Sequence, residues 1–141
     1  MEIINLQDFT DRIELRDWLE ANHNQAKSCW VITSRSKQPT YKCIRYIEVV
    51  EEALCFGWID STIKKLPDGR LAQRISPRCK RSHWTELNKE RYINLEDRGL
   101  MTDAGRQAFE RSYSYEIVPK GSLMEEIVRK HDKELRPDLY K

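Results

Sequence analysis

The stretch Tyr46–Pro77, "YIEVVEEALCFGWIDSTIKKLPDGRLAQRISP", changes its hydrophobic period half-way, and that change decides the fold. From about Arg45 to Phe56, Ile47, Val50 and Leu54 lie three or four residues apart, with Tyr46 and Ala53 beside them. Glu48, Glu51 and Glu52 lean outward on this spacing, which predicts an amphipathic helix. Gly57 is its natural stop, because glycine adopts the left-handed conformation that closes a helix. Trp58 must then begin a new element. "WIDSTIKKL" and "RLAQRIS" both alternate, and Pro67, Asp68 and Gly69 between them signal a hairpin. Alternation puts Trp58, Asp60 and Thr62 on one face and Ile59, Ser61 and Ile63 on the other. If Ile59, Ile63, Leu71 and Ile75 join the core, Asp60 and Arg74 meet on the opposite face.

Working outward, Asp8 or Thr10 can cap a first helix carrying Phe9, Ile13 and Leu15 to Leu19. "CWVIT", Cys29–Thr33, is an unbroken apolar and β-branched run and reads as a buried strand. Beyond the hairpin, Ser82 or Thr85 caps a helix through about Arg98. Gly99 stops it, and Thr102 opens another through about Arg111. Ser122 can cap a last helix with Leu123, Ile127 and Leu135 as its apolar contacts. The predicted order is α-β-α-β-β-α-α-α. The fold class is α+β: a small, mainly antiparallel sheet of about three strands packed with four to five helices. One domain is expected over 1–112, with 113–141 a short helical extension packed on it or trailing from it.

Hydrophobic residues make up 39% of the 141 and charged residues 34%, the balance of a globular chain with a busy surface. No apolar run is long enough to insert in a bilayer, and the first residues lack the pattern of a secretory signal. The expected location is the cytoplasm. Four irregularly spaced cysteines fit a reducing compartment better than a disulfide framework. Cys79 and His83 are four apart, but no second pair has metal-site spacing, so no metal is expected. Cys79, flanked by Arg78 and Lys80, has the charge environment of a reactive thiol, or is an incidental surface thiol.

The net charge of +2 is unevenly spread. Lys64, Lys65, Arg70, Arg74, Arg78, Lys80 and Arg81 stand against Asp68 alone, a field that attracts anions, nucleic acid included. A solvated hairpin is the simpler account, since cations on exposed strands also block edge pairing. The "LEDRGLMTDAGRQAFER" segment can be read as a helix-turn-helix, or as an αα-hairpin packed on the sheet, which is favoured. No histidine has an orienting partner, the glycines form no phosphate loop, and the paired carboxylates are adjacent and point apart. Catalysis is not supported, and no cofactor is implied.

Several motifs together resemble one family. "VEEALCFGWIDSTIKKL", "AQRISPRCKRSHWTELNKER" and "RGLMTDAG" are similar to the YdeI/OmpD-associated family, also called bacteriocin-protection proteins. Matching positions run from Phe9 and Trp18-Leu19 through Tyr46, Glu48 and Glu51 to Asp60. They continue in Ser76-Pro77-Arg78, Ser82, Trp84, Thr85 and Asn88, then Gly99, Met101 and Gly105, so that residues 9 to 112 are covered. Ser76 and Thr85 exchange one hydroxyl residue for another. Arg45 stands where the family often has a Ser or Thr cap, and the C-terminal part is shorter and lacks a basic segment. The resemblance implies tolerance of bacteriocins, antimicrobial peptides or envelope stress, and carries over no reaction or cofactor.

The expected ligand-binding set is Trp58, Asp60, Arg74, Arg78, Ser82, Trp84 and Asn88. Arg78 would clamp a carboxylate or other anion bidentately. Trp58 and Trp84 would supply flat walls, and Asp60 would pair with Arg74 or accept a donor from the ligand. The alternative is a buried polar network holding the hairpin to the following helix. The partner expected is a small anionic ligand or a protein, with nucleic acid on the Lys64–Arg81 hairpin as the second reading.

Overall fold

The computed structural model describes residues 2–79 and 84–113. Two very short strands, β1 (Leu6–Gln7) and β3 (Ile44–Arg45), join three longer ones, β2 (Cys29–Ser34), β4 (Trp58–Lys65) and β5 (Leu71–Pro77). The helices are α1 (Arg12–Asn22), α2 (Tyr46–Cys55), α3 (Glu86–Asp97) and α4 (Asp103–Tyr113). The class is α+β. The last predicted helix, from Ser122, lies outside the described residues.

The sheet runs β1-β2-β5-β4, and β3 pairs with β2 as well. Both two-residue strands lie parallel to β2, while β2–β5 and β5–β4 are antiparallel. Among the described residues the sheet is therefore mixed, with five strands where about three antiparallel ones were expected. A strand of two residues is too short to show a period of two, which is why β1 and β3 left no trace in the sequence pattern.

Local chemistry sets the helix ends. Asp11, not Asp8 or Thr10, caps α1, accepting the Glu14 N–H at 3.0 Å, while the Thr10 hydroxyl donates to Glu14 Oε1 at 2.8 Å. Thr85 caps α3 by accepting the Asn88 N–H at 3.2 Å. Arg45 occupies the cap position of α2 and makes no side-chain cap bond. Gly57, at φ +76°, turns the chain out of α2 and into β4.

Two expectations about α2 are corrected. Glu52 does not lean outward: it is 1% exposed and bonded to Arg12 and Arg16 of α1. Ile47, expected on the buried face, is 42% exposed, and Val49, Val50, Ala53, Leu54 and Cys55 do the packing. The buried face is rotated by about one residue because α1 and the sheet approach α2 from two sides.

The hairpin register gives the third correction. Asp60 pairs with Ile75, and after a bulge Ile63 pairs with Gln73. Cross-strand partners share a face, so Asp60 lies with Ile75 and Gln73 while Arg74 lies on the other side of the sheet. Asp60 and Arg74 do not meet, and Ile59 does not share a face with Ile75. Arg74 instead hydrogen-bonds Ser61 Oγ at 3.4 Å and Ser76 Oγ at 3.3 Å. The buried Gln73 amide donates to the Arg74 carbonyl at 2.9 Å and to that of Thr62, inside the bulge, at 3.4 Å. This supplies a partner for a carbonyl that the interrupted ladder leaves over.

The main core lies between one sheet face (Cys29, Val31, Trp58, Ile75) and the helices, which contribute Leu15, Leu19, Val49, Leu54, Tyr92, Leu95 and Phe109 among others. Trp18 meets Trp58 edge-on at 6.0 Å, and Trp84 packs edge-on against Tyr92 and Phe109. Two thiols share this interior. Burial pushes Cys29 up to about 12; it also pushes Cys55 up, to about 11, with the Glu52 charge adding to the effect. Raised folded-state values mean the native state holds these protons when the unfolded chain has lost them. Their contribution is full below pH 9 and is lost as pH rises towards 11 to 12. Between pH 9 and 11, unfolding free energy should fall by up to about 1.4 kcal/mol per pH unit per thiol. Urea titrations across that range check this, and Cys29→Ala should flatten the slope.

Candidate functional site

α2 delivers Tyr46 from its first turn towards β4, where the phenol donates to Asp60 Oδ2 at 2.7 Å. The Arg35 guanidinium lies 4.3 Å from the centre of the Tyr46 ring, a cation–π contact from the loop after β2. Burial raises the Tyr46 phenol above its ordinary value, and the Asp60 hydrogen bond raises it further. The positive charges of Arg35 and Arg91 oppose that shift, so four side chains from four parts of the chain share one electrostatic neighbourhood.

Arg78 belongs to the same neighbourhood. Its guanidinium stacks 4.1 Å above the Trp84 ring, and its backbone N–H donates to the Gly57 carbonyl at 3.0 Å. Burial pulls Arg78 down to about 10, with the Asp60 charge acting in the other direction. Trp58 and Trp84 are each 1% exposed, and Trp58 and Arg78 are among the residues that line a cavity of about 240 Å³ beside Gly57. The Trp58 indole donates to the His23 carbonyl at 3.3 Å. Asn88 accepts from Arg91 at 3.0 Å. Of the expected set, Asp60, Arg78 and Trp84 meet at the junction of hairpin and α3, whereas the Trp58 ring packs against Trp18 and Asn88 is bonded within α3. Arg74 is on the far side of the sheet, and Ser82 lies outside the described residues.

Among the described residues the hairpin arginines have separate surroundings. Arg70 is held by Asp68 at 2.8 Å and Asp8 at 3.1 Å, Arg74 is half-buried and bonded to two serines, and Arg78 is buried. Lys80 and Arg81 lie outside the described residues. The segment 86–113 forms an αα-hairpin against α2, with the Thr102 hydroxyl and N–H both donating to the Cys55 carbonyl.

A cavity of about 320 Å³ opens beside Tyr46, lined by Ser34, Arg35, Ser36, Lys37, Arg45, Tyr46 and Ile47. Three lining residues are cations and none is a carboxylate. Among the described residues none of the three has an ion-pair partner, whereas Arg12, Arg16, Arg70, Arg98 and Arg106 all do. Ser34 Oγ accepts the Ser36 N–H and Ser36 Oγ accepts the Gln38 N–H, each at 3.1 Å. Those bonds occupy acceptor positions and leave the hydroxyl hydrogens to donate. The start of α2, without a side-chain cap, adds backbone N–H groups and the positive end of the helix dipole. The cavity is thus rich in donors and positive charge, and it suits an acceptor-rich anion.

Against known families, one model matches residues 7–108, most of the chain and all of the site. The chain belongs to the family described as "Domain of unknown function (DUF8412)". No curated protein and no solved structure matches it. The family match spans β1 to the middle of α4, so it contains both the Tyr46–Asp60 junction and the cationic cavity.

Sequence reasoning placed Tyr46 on the right helix and missed its role, as it missed Arg35 and Arg45. Arg45 alone carried a signal: a cationic residue where a small hydroxyl cap is expected.

Proposed function

We propose that the protein is a non-enzymatic binder of a small anionic ligand, held in the cavity at the start of α2. The observation that carries this is the lining itself: Arg35, Lys37 and Arg45 without carboxylate partners among the described residues, beside two serine hydroxyls. Building unpaired cations around a concavity costs self-repulsion, which a bound anion relieves. Tyr46 links the cavity to the interior, since its ring carries Arg35 while its hydroxyl is committed to Asp60. On the resemblance of its motifs to the YdeI/OmpD-associated family, we read this binding as part of tolerance of bacteriocins, antimicrobial peptides or envelope stress, in the cytoplasm. Among the described residues no helix is long and apolar enough to cross a membrane.

Calorimetric titration with inorganic phosphate and pyrophosphate at low ionic strength tests the binding. A charge-assisted hydrogen bond contributes about 1.5–3 kcal/mol, so Arg35→Ala with Arg45→Ala should weaken the affinity by at least about tenfold. No heat of binding with the unsubstituted chain, or equal affinity in the double variant, overturns the assignment. Short DNA in the same titration separates the second reading. Tighter binding that collapses with salt and survives the double variant would favour the Lys64–Lys65 end of the hairpin instead.

A further inference from the structure

Ile47 is the large aliphatic side chain of α2 that the core leaves out. Val49, Val50, Ala53, Leu54 and Cys55 are buried, whereas Ile47 is exposed on the wall of the cationic cavity. A single exposed isoleucine is commonplace. This one shares its cavity with Arg35, Lys37 and Arg45 and with the hydroxyls of Ser34 and Ser36. The half-buried Tyr46 stands next to it, and the stems of Lys37 and Arg45 are themselves apolar. The wall therefore combines a cationic, donor-rich part with an apolar part.

Size points the same way. At about 30 Å³ per molecule of liquid water, the cavity of about 320 Å³ holds about ten waters. Inorganic phosphate fills less than half of that. The loop carrying Arg35 and Lys37 is also pinned at both ends. Thr33 Oγ1 donates to the Ile44 carbonyl at 2.6 Å. The Tyr41 hydroxyl donates to the Thr33 carbonyl at 2.6 Å and accepts the Leu71 N–H at 3.1 Å. With two serine turns inside it, the loop leaves little ordering for a ligand to impose.

We infer that this cavity takes a small organic phosphomonoester with an aromatic or aliphatic body. Its phosphoryl group sits among Arg35, Lys37, Arg45 and the serine hydroxyls, and its body lies against Ile47 and Tyr46. The inference rests on the anion-binding reading above and adds the class of ligand. A phosphomonoester brings about −1.5 to −2 of charge and three strong acceptor oxygens at neutral pH, a match for several cations and two hydroxyls. A carboxylate or a phosphodiester, each singly charged, answers less of that field.

Calorimetric titration of the full chain with inorganic phosphate, phenyl phosphate and methyl phenyl phosphate, at one low ionic strength, tests this. Phenyl phosphate should bind about fivefold or more tighter than inorganic phosphate, the gain expected from covering part of its ring. Methyl phenyl phosphate keeps the ring but is a singly charged diester. It should bind at least about tenfold more weakly than phenyl phosphate. In Ile47→Ala the ratio of phenyl phosphate affinity to phosphate affinity should fall towards one. Equal affinity for phosphate and phenyl phosphate overturns the inference and leaves the anion-binding reading standing. So does a diester bound as tightly as the monoester, or a preference that Ile47→Ala leaves unchanged. Absence of binding by all three overturns both. Should Ile47→Ala fail to fold, the ligand series in the unsubstituted chain still decides.

Discussion

Glu52→Ala should lose about 3–5 kcal/mol of stability, the range for removing one partner of a buried ion pair. The carboxylate is 1% exposed and receives Arg12 Nε at one oxygen and Arg16 Nη1 at the other, both at 3.0 Å. Arg16 also donates to the Leu100 carbonyl at 2.6 Å, so the same cluster ties α1, α2 and the α3–α4 turn together. Neighbouring Glu51 extends it, bonding Arg12 at 3.1 Å and Arg98 at 3.1 Å. The arginine side chains are 22% and 27% exposed and can rehydrate, which puts the loss at the lower end of the range. A shift of about 10 °C in the melting midpoint corresponds to about 3 kcal/mol for a domain of this size. Glu51→Ala should cost less, near 1 kcal/mol, because its ion pairs reach solvent. Urea denaturation of both variants reads the difference; a Glu52→Ala value within about 0.5 kcal/mol of the parent would show that the cluster is not coupled to folding.

Gly57→Ala should be comparably damaging, for reasons that can be separated. The left-handed conformation at φ +76° costs a side chain about 1–2 kcal/mol. In addition, a Cβ there would sit 2.7 Å from Ala108 Cβ and 2.9 Å from the Ala104 carbonyl oxygen, so α4 would have to move. Forcing atoms into a packed contact of this kind costs about 1–3 kcal/mol. Gly99 provides the control: its φ is +72°, but a Cβ there meets nothing within 4 Å. Gly99→Ala should therefore show the conformational part alone, and the excess in Gly57→Ala measures the packing against α4. Gly105 gives the converse case, a helical glycine whose Cβ would meet Met101 Sδ and the Cys55 carbonyl oxygen at 2.5 Å. If Gly57→Ala and Gly99→Ala unfold at the same denaturant concentration, the close approach of α4 is not limiting.

These glycines show how far the sequence could be read. The glycine of "CFGWID" is legible as a helix stop, because a backbone preference acts within one residue. Its second role, admitting α4, depends on a contact with residues about fifty positions away, which no local pattern records. Glu52 is a sharper instance. A glutamate on an amphipathic helix reads as solvent-facing by charge alone, and only the arrival of Arg12 and Arg16 makes a buried position tolerable.

Around the candidate site the division is similar. Asp60, Arg78 and Trp84 do meet near the hairpin–α3 junction, but alternation had aimed Trp58 and Asp60 away from the core, and the register puts them on the core side with Ile75. Arg74 fell on the wrong side because pairing parity and the bulge between Asp60 and Ile63 are properties of two strands together. The cationic cavity went unseen because Arg35 and Lys37 lie in a loop without periodicity, and the β2–β3 pairing brings that loop to the start of α2.

By itself the sequence determined the α+β class, the order of the longer described elements, and the turn at Gly57. Those follow from backbone preference and from the repeat of apolar side chains, which act over a few residues. The tertiary structure alone decided the two short parallel strands, the hairpin register, the burial of Glu52 and the meeting of Tyr46 with Asp60. Each of these is a contact between distant segments, and its energy exists only once both segments are in place.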